Sequence, residues 1–394
     1  MGSTRATTLT AGSIDLNGFT YTSGSFSSSG SNVRSIAFGS SAITLIGTGT
    51  VWNTTTATNF SRTGTPTVNV SNNSATATTV STGTLTEAQA LDFNYTVGTY
   101  TLTDTSAVYR SVDLTGFSGT YANNARTYYG GFNVGSTATI SAGSQAQTFA
   151  ATSGTWGITP NGRTFDFPLV FNGVGGTWQL QGALIVGATR SFTLTSGTFD
   201  ANNYNVNPAT MSSANSNVRT LVLGSGTWTV VGTGTSWNFS TPTNATITGT
   251  ATISMTSASA KTFAGGGLIW PTLNQGGAGA LTVSGNNTFT NITSTYTATA
   301  ACTITLPASG TQTLTNLTAG GTSGKLLTLN SSTAGTRANL VINNDVNLSY
   351  TSLRDNSVSG GYVYNARYIN GNLNVSNNLG WDFGPIPGSF FAFF

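Results

Sequence analysis

The sequence predicts an all-β chain, and three observations carry that prediction. Charged side chains make up 6% of the residues, against about a quarter in an ordinary globular protein. Short runs of alternating apolar and polar residues recur, each closed by Gly, Asn or Ser. A decapeptide, SNVRSIAFGS at 31–40, returns almost unchanged as SNVRTLVLGS at 216–225.

Composition acts first. Glu87 is the only glutamate, Lys261 and Lys325 are the only lysines, and there is no histidine. Such a chain lacks the usual helix formers. Its Thr, Val, Ile and aromatics, separated by Gly and Asn, are the residues of strands and turns. With 38% hydrophobic and 10% aromatic residues, it can bury a core, which excludes a disordered low-complexity chain.

The alternation places the strands. SIAFG, AITLIG, SFTLTSG (191–197), TWTVVG (227–232) and KLLTLN (325–330) have period two and turn residues at both ends. Only TEAQALDF (86–93) has helical flavour, enough for a turn or two.

The repeat sets the architecture. Its two copies are offset by 216 − 31 = 185 in the numbering. The same offset aligns TLTAGSID (8–15) with TLTSGTFD (193–200) and GTGTVWN (47–53) with GTGTSWN (232–238). The expected fold is a right-handed parallel β-solenoid, or β-helix, of two repeat units of about 185 residues. The units are residues 1–186 and 187–383, followed by a hydrophobic tail at 384–394. Residues stacked coil on coil repel when they carry like charge, so a solenoid favours neutral polar side chains. Tandem β-sandwiches are the alternative.

Within the repeat, Asp15 precedes Arg34 by 34 − 15 = 19 in the numbering, and Asp200 precedes Arg219 by 219 − 200 = 19. That spacing is close to one coil of a solenoid. It predicts two structural ion pairs, Asp15–Arg34 and Asp200–Arg219, each within about 4 Å. Arg bonded to turn carbonyls is the substitute arrangement.

Chemistry is mostly excluded. Without histidine there is no Ser-His-Asp triad, Cys-His dyad or histidine metal site. Asp104, Asp113 and Asp166 are the thin candidates for a two-carboxylate hydrolase, and isolated aspartates of this kind ordinarily cap turns. AGGTSGKL (319–326) has Ala319 and Leu326 where a phosphate loop needs Gly and Ser or Thr. No calcium-loop pattern occurs. Hence no catalytic residue, metal or cofactor is expected.

Net charge is +3, but the arginines are scattered singly, so nucleic acid is not an expected partner. Cys302 sits in an alternating stretch and reads as a small buried residue. The N-terminus lacks an apolar signal-peptide core, and no apolar run approaches a membrane span. Tyrosines in NARTYYGGF (124–132) and GGYVYNARY (360–368) fit either sugar or protein contacts, or half-buried coil corners. The ending GPIPGSFFAFF (384–394) carries Phe390, Phe391, Phe393 and Phe394. These four make an assembly contact with a neighbour or cap their own fold.

Several of these stretches are familiar together. The unit around SNVRTLVLGSGTWTVVGTGTSWN resembles repetitive structural proteins of tailed bacteriophages, of tail-fibre or adhesin-like type. So do VYRSVDLTGFSGTYANNARTYYGGFNV (108–134), NGRTFDFPLVFNGVGGTWQL (161–180) and YTSLRDNSVSGGYVYNA with NNLGWDF (350–383). The resemblance covers most of the chain in motif and composition. It implies a non-enzymatic virion component, a β-rich fibre that is often trimeric, and it carries over no catalytic residue. The expected partners are sister subunits, other virion proteins, and a host surface glycan or protein. The alternatives are a tailspike-like polysaccharide depolymerase and a bacterial surface adhesin or filament subunit.

Overall fold

The computed structural model describes residue 2, residues 4–104 and residues 107–385. About half of the chain is strand, 2% is helix, and the strands form a parallel β-solenoid of about 17 turns. Two compact units divide it, Met1–Tyr204 and Asn205–Phe394.

In the first unit one face stacks Tyr21 on Ile43, Ile43 on Val68 and Val68 on Phe93. The same face continues through Val112, Phe132, Ile158 and Leu180. Successive coils therefore differ in length: Val112 follows Phe93 by 112 − 93 = 19 in the numbering, and Ile158 follows Phe132 by 158 − 132 = 26. In the second unit Trp237, Phe263 and Val283 stack in the same way, as do Ile304, Leu329 and Leu353. TEAQALDF forms one turn, with the Ala90 N–H donating to Thr86 O at 2.9 Å, before the strand Asp92–Val97 begins.

Period-two alternation points every second side chain inward, and there the aromatics form ladders. Phe26 and Trp52 lie 4.6 Å apart, Trp52 and Phe93 5.7 Å, Phe93 and Tyr109 5.3 Å. Tyr128, Phe149 and Phe171 continue the file at 5.0 Å spacings. The second unit has its own cluster, in which Trp237 lies 5.7 Å from Trp228, 5.9 Å from Phe263 and 5.6 Å from Trp270. Such offset and edge-on pairs add to the burial of large apolar surfaces. Outward positions carry neutral polar files. Asn94 Nδ2 donates to Asn69 Oδ1 at 3.2 Å, and Asn344 Nδ2 to Asn316 Oδ1 at 2.8 Å.

The corners explain the abundance of Asn and Gly. Asn17, Asn59, Asn202 and Asn244 take left-handed backbone, with φ of 45°, 58°, 47° and 58°, a conformation Asn tolerates better than most residues. Gly64 and Gly249 have positive φ, and a Cβ there would strike the backbone of Gly39 or Gly224 on the coil before. The offset of the repeat is thus visible in backbone conformation from Gly12 and Gly197, with φ of 83° and 79°, onward. It fades after Thr67 and Thr252. Val68 stacks on Phe93, a step of 93 − 68 = 25, whereas Ile253 stacks on Leu273, a step of 273 − 253 = 20.

Candidate functional site

Arg34 lies in the strand Arg34–Ala37, whose alternation points it inward beside Ile36. Its guanidinium is buried and donates from all three nitrogens. Nε donates to Ser28 Oγ at 2.8 Å. Nη1 donates to the carbonyls of Asn32 and Thr58, and Nη2 to those of Ser28 and Thr56. Arg219 repeats the arrangement with Ser213 Oγ and the carbonyls of Asn217, Thr243, Ser213 and Thr241. Corner residues leave their carbonyls without ladder partners, and a planar fork of five donors satisfies several at once.

The ion pairs predicted for these arginines are not made. Five donors bound to five acceptors leave none for a carboxylate. Arg34 stacks on Gly12, a step of 34 − 12 = 22, and in the same register Ala37 stacks on Asp15. Asp15 instead accepts from the Asn17 N–H at 2.9 Å. Asp200 accepts from the Asn202 N–H at 2.7 Å and from Gln179 Nε2 at 2.9 Å. Burial holds the Arg219 guanidinium below its usual range, in keeping with a cage of neutral carbonyls.

A buried ion pair exists elsewhere. Asp104 Oδ2 accepts from Arg126 Nε at 2.7 Å, with both side chains fully enclosed. Tyr109 Oη donates to the same oxygen at 2.5 Å, and Asn124 Nδ2 donates to Oδ1 at 3.1 Å. The guanidinium lies 3.8 Å from the centroid of the Tyr121 ring. Tyr121 and Tyr128 share a 2.9 Å hydrogen bond, and Tyr128 Oη donates onward to Gln147 Oε1. Burial, then the Asp104 charge, pushes the Tyr109 phenol well above its usual range, so it stays protonated and donates.

All ten acidic side chains of the sequence are engaged. Asp113 caps Thr115, Asp345 caps Val363, and Asp382 accepts from the Gly384 N–H while pairing with Arg367. Asp92 pairs with Arg110, Asp166 with Arg190, and Asp355 is held by Asn377 and Arg354. Glu87 accepts from the backbone N–H and the hydroxyl of Thr152. Of the three hydrolase candidates, Asp104 is sealed in the core, Asp113 faces out from the strand Val112–Leu114, and Asp166 is held by its arginine.

One pocket in the second unit has a different character. It is an open groove of about 430 Å³ lined by Ser309, Thr336, Arg337, Asn339, Ser357, Asn377 and Leu379. Arg337 Nε donates to Asn377 O at 2.9 Å, and its two terminal amino groups make no bond among the described residues. Ser357 Oγ donates to Asn339 Oδ1 at 2.6 Å. Ser309 and Asn377 both have positive φ, 58° and 51°. Behind the wall Asp355, itself at φ 55°, accepts from Asn377 Nδ2 at 2.8 Å. That bond, and more weakly the charges of Arg354 and Arg337, hold its carboxyl below the usual range.

Neither the Asp104–Arg126 pair nor the Arg337 pocket follows from the repeat. The alternation does mark the first, since Leu102 and Asp104 share the inward face of one strand and Arg126 and Tyr128 that of another. Cys302 is buried, as expected. The aromatic cluster Phe390, Phe391, Phe393 and Phe394 lies outside the described residues. Among the described residues no helix is long and apolar enough to cross a membrane, and no group of three metal-ligating side chains gathers. No family model, curated protein or solved structure matches the chain.

Proposed function

We propose that the chain is a non-enzymatic structural protein of a tailed bacteriophage particle. Its role would be that of a tail fibre, spike or surface-decorating protein in assembly or host attachment. The observation that supports this reading most is the parallel β-solenoid itself, with neutral polar files on its outward positions. Two of the three hydrolase candidates serve the fold: Asp104 is sealed in the core with Arg126, and Asp166 pairs with Arg190. The neutral outer files suit a protein that stacks beside copies of itself, and the phage-like motifs supply the particle.

Antibody raised against the purified chain should label tailed particles from the source culture under electron microscopy. Labelling restricted to the bacterial envelope would replace this reading with that of a surface adhesin. A reducing-sugar assay on capsular polysaccharide gives the enzymatic test: release abolished by Asp166→Asn would make the protein a depolymerase. The assembly role has its own check. Deleting residues 386–394 is expected to lower the mass measured by light scattering, and an unchanged mass removes the phenylalanine cluster as an assembly contact.

A further inference from the structure

We propose that the Arg337 pocket binds a carboxylate-bearing sugar, a hexuronate unit of an acidic glycan. The proposal deepens the attachment reading above and rests on it only for the source of the glycan.

The guanidinium supplies the charge recognition. Arg337 is anchored at one edge by the Nε bond to Asn377 O, while Nη1 and Nη2 stay unpaired among the described residues on a half-buried side chain. A fork held in this way meets a carboxylate with two parallel bonds. Around it stand the hydroxyls of Ser309 and Thr336, which can both give and accept, and acceptor oxygens: Ser357 Oγ, which donates to Asn339 Oδ1, and Asn377 Oδ1, whose amide nitrogen is spent on Asp355 and Gly335. That inventory matches the ring hydroxyls of a sugar better than a small inorganic anion, which would use the arginine and leave the rest unmet. Leu379, 57% exposed, offers one apolar wall to the C–H face of a ring.

Size and charge agree. A volume of about 430 Å³ lies within the usual range for small-ligand sites, enough for one or two sugar rings. Arg337, Arg354 and the buried Asp355 leave a local excess of one positive charge. Ser309 and Asn377 both line the pocket from coil corners with left-handed backbone, φ of 58° and 51°.

The test is a calorimetric titration of the full chain with D-glucuronate, D-glucose and acetate as probes. Glucuronate should bind at least tenfold more tightly than either glucose or acetate. Arg337→Ala should weaken glucuronate binding about tenfold or more, as expected for losing charged hydrogen bonds. Arg337→Lys keeps the charge and a donor for Asn377 O, so it guards against a fold defect, and it should still lose at least fivefold. Equal binding of acetate and glucuronate would reduce the pocket to a plain anion site and overturn the proposal. So would glucose matching glucuronate, or unchanged affinity in Arg337→Lys. Particle labelling by the antibody is independent of all these outcomes, so failure here leaves the virion reading standing and failure there leaves the pocket standing.

Discussion

Arg34 and Arg126 are both sealed inside the first unit, yet they are satisfied in opposite ways. Arg34 spends its five donors on one hydroxyl and four carbonyls and meets no carboxylate. Arg126 meets Asp104 at 2.7 Å, lies over the Tyr121 ring, and gives a further bond to Ala122 O at 2.7 Å. The first arrangement depends on corner carbonyls, which any coil of that shape provides. The second depends on a particular acid one coil away. Arg34 has a copy at Arg219 because both lie where the two stretches correspond; the Asp104–Arg126 pair lies beyond Thr67, where that correspondence has faded, and has no copy.

The largest effect should come from breaking the ion pair. Asp104→Leu leaves a guanidinium enclosed with its charge uncompensated, a loss of about 3–5 kcal/mol. Arg126→Met leaves the carboxylate with only Tyr109 and Asn124, at a similar cost. The double variant Asp104→Leu, Arg126→Met should recover most of that loss, because two neutral side chains need no partner. Urea midpoints for the four proteins measure it, and additive single losses would refute a coupled pair.

The carbonyl cage should prove less sensitive. Arg34→Lys offers three donors in place of five, so at least two acceptors lose their partners. Several of these carbonyls lie at half-buried corners where water can replace the donor, which holds the loss to about 2 kcal/mol. Arg219→Lys should match it within about 0.5 kcal/mol, since its five acceptors are the same atoms of equivalent residues. A larger gap between the two copies would mean that the shared bonding pattern hides unequal packing.

These residues also show what the sequence could and could not reveal. Alternation announces the parallel coils, because inward and outward side chains differ in kind at every second position. The repeat announces that Arg34 and Arg219 are structural. It misleads about their partner, because coils vary in length, as the steps from Phe93 to Val112 and from Phe132 to Ile158 show. A coil slightly longer than the spacing suggests moves Asp15 from Arg34 to Ala37. Stacking between coils is set by the lengths of the corners, and corner length leaves no periodic trace. The Arg337 pocket is hidden for the same reason: Ser309, Arg337, Ser357 and Asn377 come from separate corners and strands and meet only once the coils are in register.

Lys261 carries the comparison to a cation that can lose its charge. Its ammonium is buried and donates to the carbonyls of Ser257, Gly277 and Gly279, a cage like that of Arg34 without the guanidinium's permanent charge. Burial pushes its pKa down to about 8 from 10.5, with the neighbouring Cys302 acting weakly in the opposite direction. A lysine whose folded pKa is depressed destabilises the fold while it is charged. Below pH 8 both folded and unfolded chains hold the proton and the full cost is present. Between pH 8 and 10.5 the unfolded chain holds more protons, so stability rises with pH. Cys302 opposes this, because burial raises its thiol to about 11 and its contribution is lost as the unfolded thiol ionises. In a Cys302→Ser background, the stability of Lys261 relative to Lys261→Met should therefore climb by roughly 1 kcal/mol per pH unit above pH 8. A flat difference across that window would show that three carbonyls hold the ammonium as firmly as the guanidinium cage holds Arg34.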